Sequence, residues 1–270
     1  MISVFGATGF IGSRFCEMYP DDTVSMPRDC MGGYTGQVLY LISTTHNYNR
    51  LCMDVETNLL WLSKNLDNLT PKHTFNFISS WFIYGSGSYY TNEYQDGTPP
   101  KGNYSYTKWL AEKLIRWYCE REEIPYRIFR LANVFGKGDK FSKQKNALQY
   151  LINEMRHNRD IKLYNGGMFY RDYIHVDDAC SAMHKGMIVL PVNGVYNIGS
   201  GRRILFRELI LLAHAVLGSK SKIEIMEPSE FHKKVSTSST ILDISKIEKH
   251  GIEMNSSPYE KLVRMILDDK

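Results

Sequence analysis

The sequence predicts an α/β fold, in which a doubly wound parallel sheet carries helices on both faces and is followed by a smaller C-terminal lobe. Three observations lead to this prediction. Short apolar segments alternate with longer segments of helical period. A turn with three glycines directly follows the first apolar segment. The apolar segments are nearly continuous, as is typical of parallel strands that are buried on both faces.

The first predicted elements alternate between strand and helix. A strand at ISVFG leads into a glycine-led helix, GFIGSRFCEMY, and two further strands follow at TVSMP and VLYLIST. The segment DVETNLLWLSKNLDNL then places apolar side chains at helical spacing, which indicates an amphipathic helix. Strands that are separated by such helices indicate a parallel sheet.

The next elements continue this pattern and then lose it. HTFNFISS is predicted as a strand, YTKWLAEKLIRWYCERE as a long helix and YRIFRLANVFG as another strand. After about residue 140 the pattern becomes less regular. We therefore predict a main domain over residues 1–140 and a smaller lobe over residues 141–270, with some segments of the lobe returning to the main sheet.

Composition and charge exclude several classes of protein. The net charge is +4 and no dense stripe of Lys and Arg is present, so we expect no nucleic-acid partner. No apolar run approaches the ~18 residues that span a bilayer, and the first strand begins without a preceding secretory leader. We therefore expect no membrane association. Five scattered cysteines without a C-x-x-C pair indicate a reduced, cytoplasmic protein.

The glycine turn GATGFIG predicts a Rossmann-like dinucleotide site. Gly6 permits a tight turn, Gly9 lets a diphosphate approach the backbone amides at the helix N-terminus, and Gly12 allows close packing of helix on strand. A purely structural turn is the alternative. The intervening candidates for cofactor contact are Thr8, Phe10 and Ile11.

The end of the second strand bears on the choice of nicotinamide cofactor. An arginine there accommodates a 2′-phosphate, whereas an acid binds the ribose 2′-hydroxyl. The strand runs into Arg28 and then Asp29. Arg28 favours NADP(H), and Asp29 keeps NAD(H) possible. A solvated surface charge is the alternative interpretation of Arg28.

The segment YSYTK suggests an acid–base pair. Tyr104 and Lys108 are one helical turn apart, so their side chains lie on the same face. A neighbouring ammonium lowers the pKa of a phenol and makes it a usable general acid and base near neutral pH. Lys108 is also expected to bind ribose hydroxyls of the cofactor. The same spacing occurs by chance in many helices, and Tyr106 faces elsewhere and is the weaker candidate.

Seven segments along nearly the whole chain support one family resemblance. They are, in chain order, GATGFIG, SSWFIYG, YSYTKWLAEK, RLANVFG, RDYIHVDD, VYNIGSG and LDISKIEKHG. Together they resemble the extended short-chain dehydrogenase/reductase superfamily, in particular its branch of nucleotide-sugar epimerases, dehydratases and ketoreductases. The resemblance implies a nucleoside-diphosphate sugar as substrate.

The resemblance also implies roles for individual residues. The catalytic residues fall on Ser80, Tyr104 and Lys108. Tyr104 would take or give the proton at a sugar hydroxyl while C4 exchanges a hydride with nicotinamide, and Ser80 would orient that oxygen. The neighbouring Ser79 is expected to make hydrogen bonds at the strand end.

Three further residues are implied as binding residues. Asn58 would lie near the cofactor diphosphate, Asn133 near the substrate diphosphate, and Arg171 would pair with a substrate phosphate. The alternatives are a helix-face amide for Asn58, a turn-forming residue for Asn133 and a surface ion pair with Asp172 for Arg171. No metal site is expected, because His175 and the acids that follow it suit a packed histidine and a helix cap.

Departures from the family pattern reduce the number of reactions that the chain is expected to catalyse. Sugar 4,6-dehydratases of this branch carry an acid pair directly after the catalytic hydroxyl, where this chain has Trp81 and Phe82. Neither side chain transfers a proton, so dehydration is disfavoured. A 4-epimerase and a 4-ketoreductase remain nearly tied, and a catalytically silent nucleotide-binding protein stays open.

Two other features bear on the nucleotide and on assembly. The Arg-Pro-Gly-Asp segment of the family is absent, and His232, Lys233 or Lys234 are candidate phosphate contacts in its place. The resemblance implies a homodimer that pairs through the helix of Tyr104 and the helix near residues 55–68.

Overall fold

A six-stranded parallel sheet forms the centre of the protein. The computed structural model describes residues 1–44, 50–85, 90–95, 99–138, 146–228 and 239–268. His232, Lys233 and Lys234 lie outside the described residues. The strands are β1 (Ile2–Phe5), β2 (Thr23–Met26), β3 (Gln37–Tyr40), β4 (Thr74–Ser80), β5 (Tyr90–Thr91), β6 (Tyr126–Leu131), β7 (Asn133–Phe135), β8 (Ile161–Tyr164), β9 (Tyr170–Arg171), β10 (Tyr173–His175), β11 (Gly194–Ile198), β12 (Ile204–Leu205), β13 (Ile223–Met226) and β14 (Ile241–Leu242).

Helices cover both faces of this sheet. They are α1 (Phe10–Met18), α2 (Leu51–Val55), α3 (Trp61–Leu66), α4 (Asn103–Arg121), α5 (Ala147–Arg156), α6 (Val176–Val189), α7 (Phe206–Leu217), α8 (Ser245–Glu248) and α9 (Pro258–Asp268). A π-helical turn (Glu56–Leu60) joins α2 to α3, and 3₁₀ turns occur at Trp81–Tyr84 and Asn165–Gly167. None of the helices in the described ranges is long and apolar enough to cross a membrane.

The strand order confirms the predicted Rossmann-like, doubly wound parallel sheet. The order is β11-β6-β4-β3-β1-β2, and every neighbouring pair is parallel. The chain passes from β1 to β2 on one side and then to β3 on the other, so the order reverses at β1. In open sheets of this kind, ligands bind at the carboxyl ends of the strands where the order reverses. Residues 27–36 make the crossing from β2 to β3 without a helix.

Alternating side chains of the strands build two cores. Val4 and Ile78 are buried on one face together with residues of α1 and α6. Phe5 and Phe77, their neighbours along β1 and β4, are buried on the other face with residues of α3 and α4. Because successive side chains of a strand point to opposite faces, a nearly continuous apolar run is what a sheet covered on both sides requires.

The part of the chain after about residue 140 contributes both to a separate apolar cluster and to the main sheet. Helices α5, α7 and α9 enclose a separate apolar cluster with the short strands β8 and β12. Helix α6 and strand β11 instead belong to the main sheet, where β11 forms one edge beside β6. The division at residue 140 stays a prediction about domains.

Candidate active site

A cavity of about 1060 Å³ opens at the carboxyl edge of the sheet. It runs from the glycine turn after β1, past the ends of β3 and β4, to β8 and β9 of the C-terminal part. Six of the predicted site residues that line it are Gly9, Ser80, Tyr104, Lys108, Asn133 and Arg171. The fold therefore brings these side chains to one cleft from five separate segments of the chain.

The glycine turn forms a tight cradle at one end of the cleft. Gly6 has a φ of +83°, in the left-handed region that glycine adopts without strain. A Cβ at Gly12 would overlap Gly6 O and lie 2.8 Å from the carbonyl carbon of Gly6. Helix α1 begins at Phe10 with no side chain capping its first turn and no acid in that turn. Gly9, Phe10, Ile11 and Gly12 line the cavity. An uncapped helix N-terminus behind a glycine turn fits the diphosphate of a dinucleotide.

Ser80, Tyr104 and Lys108 meet where β4 ends against α4. The hydroxyls of Ser80 and Ser43 lie beside the phenol of Tyr104, close enough to oppose a rise in its pKa. Lys108 Nζ donates to Ile78 O at 2.8 Å and lies 4.5 Å from the centre of the Phe77 ring. Helix α4 begins at Asn103, so Tyr104 and Lys108 project one turn apart on the same side.

Burial changes the pKa values of both ionisable groups. Desolvation lowers the pKa of Lys108 to about 7, against the opposing charge of Glu112. Desolvation also raises the pKa of Tyr104, and the neighbouring hydroxyls of Ser43 and Ser80 oppose that rise. The prediction that the pKa of the Tyr104 phenol is lowered is therefore wrong. Lys108 is itself desolvated and its ammonium points to a carbonyl oxygen, so it does not stabilise the phenolate here.

The lowered pKa of Lys108 predicts a pH dependence of stability. The unfolded chain holds the lysine proton up to its ordinary pKa of 10.5, whereas the folded chain releases it above about 7. Between these values the unfolded state binds more protons, so stability rises with pH. We expect Lys108→Met to be more stable than the unmodified protein at pH 6.5, with the advantage shrinking towards pH 10.

Urea unfolding across this pH range measures the effect. Lys101→Met, at an exposed lysine just before α4, is the matched control and should follow the unmodified protein at every pH. Parallel stability curves for Lys108→Met and the unmodified protein would show that Lys108 keeps its ordinary pKa.

Ser43 is a site residue that the sequence analysis did not single out. It follows β3, lines the cavity and lies beside the phenol of Tyr104. Its Oγ donates to Asn58 Oδ1 at 3.1 Å, and the Thr44 amide donates to the same oxygen at 3.2 Å. Asn58 Nδ2 donates to Thr107 Oγ1 at 2.9 Å. The signal in the sequence was a pair of small hydroxyl residues at the end of a buried strand.

Asn58 lies behind the wall of the cleft. It is 2% exposed, it is absent from the cavity lining, and it belongs to the π-helical turn between α2 and α3. Its side chain holds the Ser43–Thr44 segment in place, and its predicted contact with the cofactor diphosphate stays a prediction.

Arg171 lies at the opposite end of the cleft from the glycine turn. It is 3% exposed, so it is not the surface charge of the alternative interpretation. Its Cζ lies 4.6 Å from the centre of the Trp81 ring and 5.1 Å from that of Phe169. Asp172 instead accepts hydrogen bonds from the Ser200 hydroxyl at 2.7 Å and the Ser200 amide at 2.8 Å.

Asn133 and Asp172 connect the wall of the cleft to the segment around Arg171. Asn133 Nδ2 donates to Asp172 O at 3.0 Å, and Asn133 lines the cavity at the start of β7. Desolvation raises the pKa of the Asp172 carboxyl to about 6, against its hydrogen bonds from Ser200 and the Gly201 amide. Asp172 therefore acts as a buried anchor for the loop that follows β11.

The aromatic pair after Ser80 forms a short 3₁₀ turn. Ser80 Oγ accepts from the Phe82 amide at 3.3 Å and so caps this turn. The Trp81 and Phe82 rings stack with centroids 4.1 Å apart, and Phe82 meets the Tyr104 ring edge-on at 6.0 Å. Trp81 is only 5% exposed.

Ser79 does not make the strand-end hydrogen bond that was expected of it. Its Oγ is buried and has no hydrogen-bond partner among the described residues, and Ser79 lines the cavity. Ser79 therefore contributes to the cavity wall while its hydroxyl stays buried.

The predicted cofactor contacts Thr8 and Arg28 are exposed and lie outside the cavity lining. Arg28 follows β2 and is close enough to Tyr40 for its charge to oppose the rise in the Tyr40 pKa that burial causes. Asp29, one residue further on, is also exposed.

His175 and its neighbouring acids are structural. His175 Nδ1 accepts from the Asp177 amide at 3.3 Å, so the histidine and not an acid caps α6. Asp177 pairs with Arg14 at 2.6 Å, which joins α6 to α1. Within the ranges that the structure describes, no group of three or more His, Cys, Asp or Glu could hold a metal ion.

A buried ion pair supports the helix that carries Tyr104. Arg130 of β6 and Glu112 of α4 are each 1% exposed at the side chain, and their closest atoms are 2.7 Å apart. Arg130 also donates to the Tyr84 hydroxyl at 3.1 Å, which in turn donates to Asn197 Oδ1 at 2.6 Å. Glu112 is one turn beyond Lys108, so the pair fixes α4 close to Tyr104 and Lys108.

The reversed strand order, the glycine cradle and the cleft at the strand ends define a dinucleotide-binding protein of the Rossmann class. The model of the NAD dependent epimerase/dehydratase family matches residues 42–199, more than half of the chain. The chain therefore belongs to this family, and the resemblance found from the sequence is confirmed.

Known relatives agree with this assignment. The low-salt glycan biosynthesis protein Agl12 of Haloferax volcanii is 31% identical over 138 residues, which are 51% of this chain and 44% of that protein. The ADP-L-glycero-D-manno-heptose-6-epimerase of Alkalilimnicola ehrlichii is 26% identical over 72% of this chain and 62% of that protein. The chain thus spans between 44% and 62% of the length of these curated relatives.

A solved structure shows the same fold. The UDP-glucose 4-epimerase of Thermotoga maritima, determined with UDP-glucose, superposes with a TM-score of 0.87 at 20% identity. The superposition covers 98% of this chain and 97% of that one. At this level of identity the similarity concerns the fold alone.

Proposed function

We propose that the protein catalyses NAD(P)-dependent oxidoreduction at C4 of a nucleoside-diphosphate sugar. The observation that carries this proposal is the phenol of Tyr104 beside the hydroxyls of Ser80 and Ser43, in the wall of the cleft that Lys108 also lines. A phenol beside two hydroxyls at the edge of a dinucleotide cleft suits proton transfer to or from a sugar oxygen.

Each residue of the site has a separate role in this reaction. As the phenolate, Tyr104 accepts the hydroxyl proton when C4 is oxidised; as the neutral phenol, which burial favours, it gives a proton to the oxygen when the ketone is reduced. Ser80 donates a hydrogen bond to that oxygen and keeps it in line with Tyr104. The nicotinamide cofactor, when bound, supplies the acceptor or donor of the hydride. Arg171 binds the substrate diphosphate at the other end of the cleft.

Epimerisation and ketoreduction share this step and differ in the fate of the cofactor. An epimerase returns the hydride to the other face of the sugar, whereas a ketoreductase consumes one reduced cofactor per turnover. Dehydration stays disfavoured, because Trp81 and Phe82 follow Ser80. Two carboxylates that line the cavity are engaged elsewhere: Glu154 pairs with Arg159 at 2.9 Å, and Asp160 accepts from the Lys222 amide at 2.8 Å.

The choice of cofactor rests on Arg28. We propose NADP(H) as the preferred cofactor, with NAD(H) as the alternative, because a guanidinium at the end of β2 suits a 2′-phosphate. Fluorescence titration with NADPH and NADH compares the two directly. The five scattered cysteines are free, and a reducing, cytoplasmic environment is part of the same proposal.

A panel of UDP-, GDP-, CDP-, ADP- and dTDP-sugars and their 4-keto forms tests the function. Product NMR identifies the sugar, and absorbance of the reduced cofactor separates the two reactions. Stoichiometric loss of absorbance selects a ketoreductase, and turnover without net change selects an epimerase. Nucleotide binding without turnover of any sugar would instead support a catalytically silent protein.

We also propose a homodimer through α4 and the α2–α3 segment. These helices pack side by side, and Leu60 is 52% exposed and Trp117 56% exposed in the single chain. We expect light scattering at micromolar concentration to give about twice the 31.3 kDa of one chain. Leu60→Glu should shift the protein to a monomer, whereas Ile188→Glu, at a 70% exposed position on α6, should not. A monomer for the unmodified chain would contradict the proposal.

A further inference from the structure

A buried contact joins Arg171 to Trp81, the aromatic residue that follows Ser80. Trp81 comes from the turn after β4 and Arg171 from β9, so the two residues are far apart in the chain. The guanidinium carbon lies 4.6 Å from the centre of the indole. Trp81 is 5% exposed and Arg171 is 3% exposed. Both line the same cavity.

Burial makes this contact strong. A guanidinium over an aromatic ring gains more when both are removed from water than it does at the surface. Phe169 supplies a second ring at 5.1 Å. Burial lowers the pKa of Arg171 to about 10, so the group stays charged at neutral pH. The two aromatic rings therefore hold a charged guanidinium at the cleft.

The same indole is also linked to the reacting tyrosine. Trp81 stacks on Phe82 with centroids 4.1 Å apart, and Phe82 meets Tyr104 edge-on at 6.0 Å. A row of aromatic rings thus runs from Tyr104 to Arg171. Because packed rings are nearly incompressible, a shift of one ring displaces its neighbour. The row sets the separation between the group that transfers the proton and the charge at the other end of the cleft.

We propose that Trp81 is a positioning residue that holds the Arg171 guanidinium for the diphosphate of the nucleotide sugar, in register with Tyr104. This proposal rests on the proposed function of the site. Because the indole is almost fully buried, it stands in the wall of the cleft and acts on the substrate through Arg171. Trp81, which stands where dehydratases of this branch carry an acid, would thus have a positioning role.

Diphosphate affinity tests the proposal without requiring turnover. The protein is first saturated with NADPH, or with NADH if that binds more tightly, so that the glycine cradle is occupied. Calorimetry then measures binding of UDP, GDP, CDP, ADP and dTDP. We expect Trp81→Leu to weaken the best of these ligands by about tenfold, and Trp81→Phe, which keeps a ring, to weaken it by about threefold or less.

Two controls separate positioning from general damage. Ile83→Ala removes a side chain that is 2% exposed on the same turn and does not line the cavity. It should lower the melting temperature and leave diphosphate affinity unchanged. In an Arg171→Met background, Trp81→Leu should have no further effect, because Trp81 acts through the guanidinium.

Kinetics with an accepted sugar give an independent readout. We expect Trp81→Leu to raise KM for the nucleotide sugar by about tenfold and to change kcat by much less, since the diphosphate grip is lost and Tyr104 remains. Equal diphosphate affinity in Trp81→Leu and the unmodified protein overturns the proposal. An equal loss in the Arg171→Met background overturns it as well. Absence of turnover with every sugar speaks against the proposed function alone, because the affinities are measured separately.

Discussion

Replacement of Tyr104 by phenylalanine is expected to lower kcat by about 10²- to 10⁴-fold, the contribution that a positioned general acid or base makes. The change removes one oxygen, which lies against Ser43 and Ser80, and leaves the ring that meets Phe82. We expect cofactor affinity to change little, because Lys108 and the glycine cradle remain. The loss should therefore appear in turnover and not in binding.

Tyr106→Phe is the matched control for this experiment. Tyr106 is two residues further along α4 and 39% exposed, and it does not line the cavity. The same loss of one hydroxyl there should leave turnover unchanged. Turnover of a nucleotide sugar by Tyr104→Phe at the unmodified rate would refute the proton transfer assigned to Tyr104.

Substitution of Gly12 by alanine is expected to have the second large effect. A Cβ at this position would overlap Gly6 O, and it would lie 3.0 Å from the Ala7 Cα. Helix α1 must then move away from the turn after β1, which also forms the cofactor cradle. We expect the free energy of unfolding to fall by about 1–3 kcal/mol, as overpacking costs in well-packed sites. Cofactor affinity should fall by at least about tenfold, since the backbone amides at the start of α1 are displaced.

Gly36→Ala is the corresponding control. A Cβ at Gly36 would meet nothing within 4 Å, and Gly36 is not among the glycines with positive φ. Gly36→Ala should leave both the free energy of unfolding and the cofactor affinity unchanged. Urea unfolding and titration with NAD(P)H measure them on the same protein preparations. An unmodified cofactor affinity in Gly12→Ala would show that this turn is not the dinucleotide site.

The sequence predicted the fold class, the glycine turn and the helical Tyr–Lys pair because all three depend on local patterns. Continuous apolar strands, the glycine turn and the Tyr–Lys spacing are all readable within a few residues. The helix predicted between residues 54 and 69 is interrupted by the π-helical turn, because Asn58 is drawn inward by the Ser43–Thr44 segment. The crossing at residues 27–36 needs no helix, because the loop alone reaches from β2 to β3.

Contacts between distant segments were beyond sequence reasoning. The Trp81 ring packs against Arg171, which lies far along the chain, and no spacing rule connects the two residues. The partner of Tyr104 at Ser43 comes from a third segment. The direction of the Tyr104 pKa also depends on burial, and burial is a property of the whole packed structure.

The Arg130–Glu112 pair beneath the active-site helix has an evolutionary consequence. Loss of Glu112 would leave the Arg130 charge buried without a carboxylate, at a cost of about 3–5 kcal/mol, and loss of Arg130 would leave Glu112 with only the longer contact to Arg116 at 3.6 Å. Replacement of both by well-packed apolar residues is often neutral. Selection therefore acts on the two positions jointly. Related sequences should keep both charges or lose both together, and single replacements should be rare among descendants of this chain.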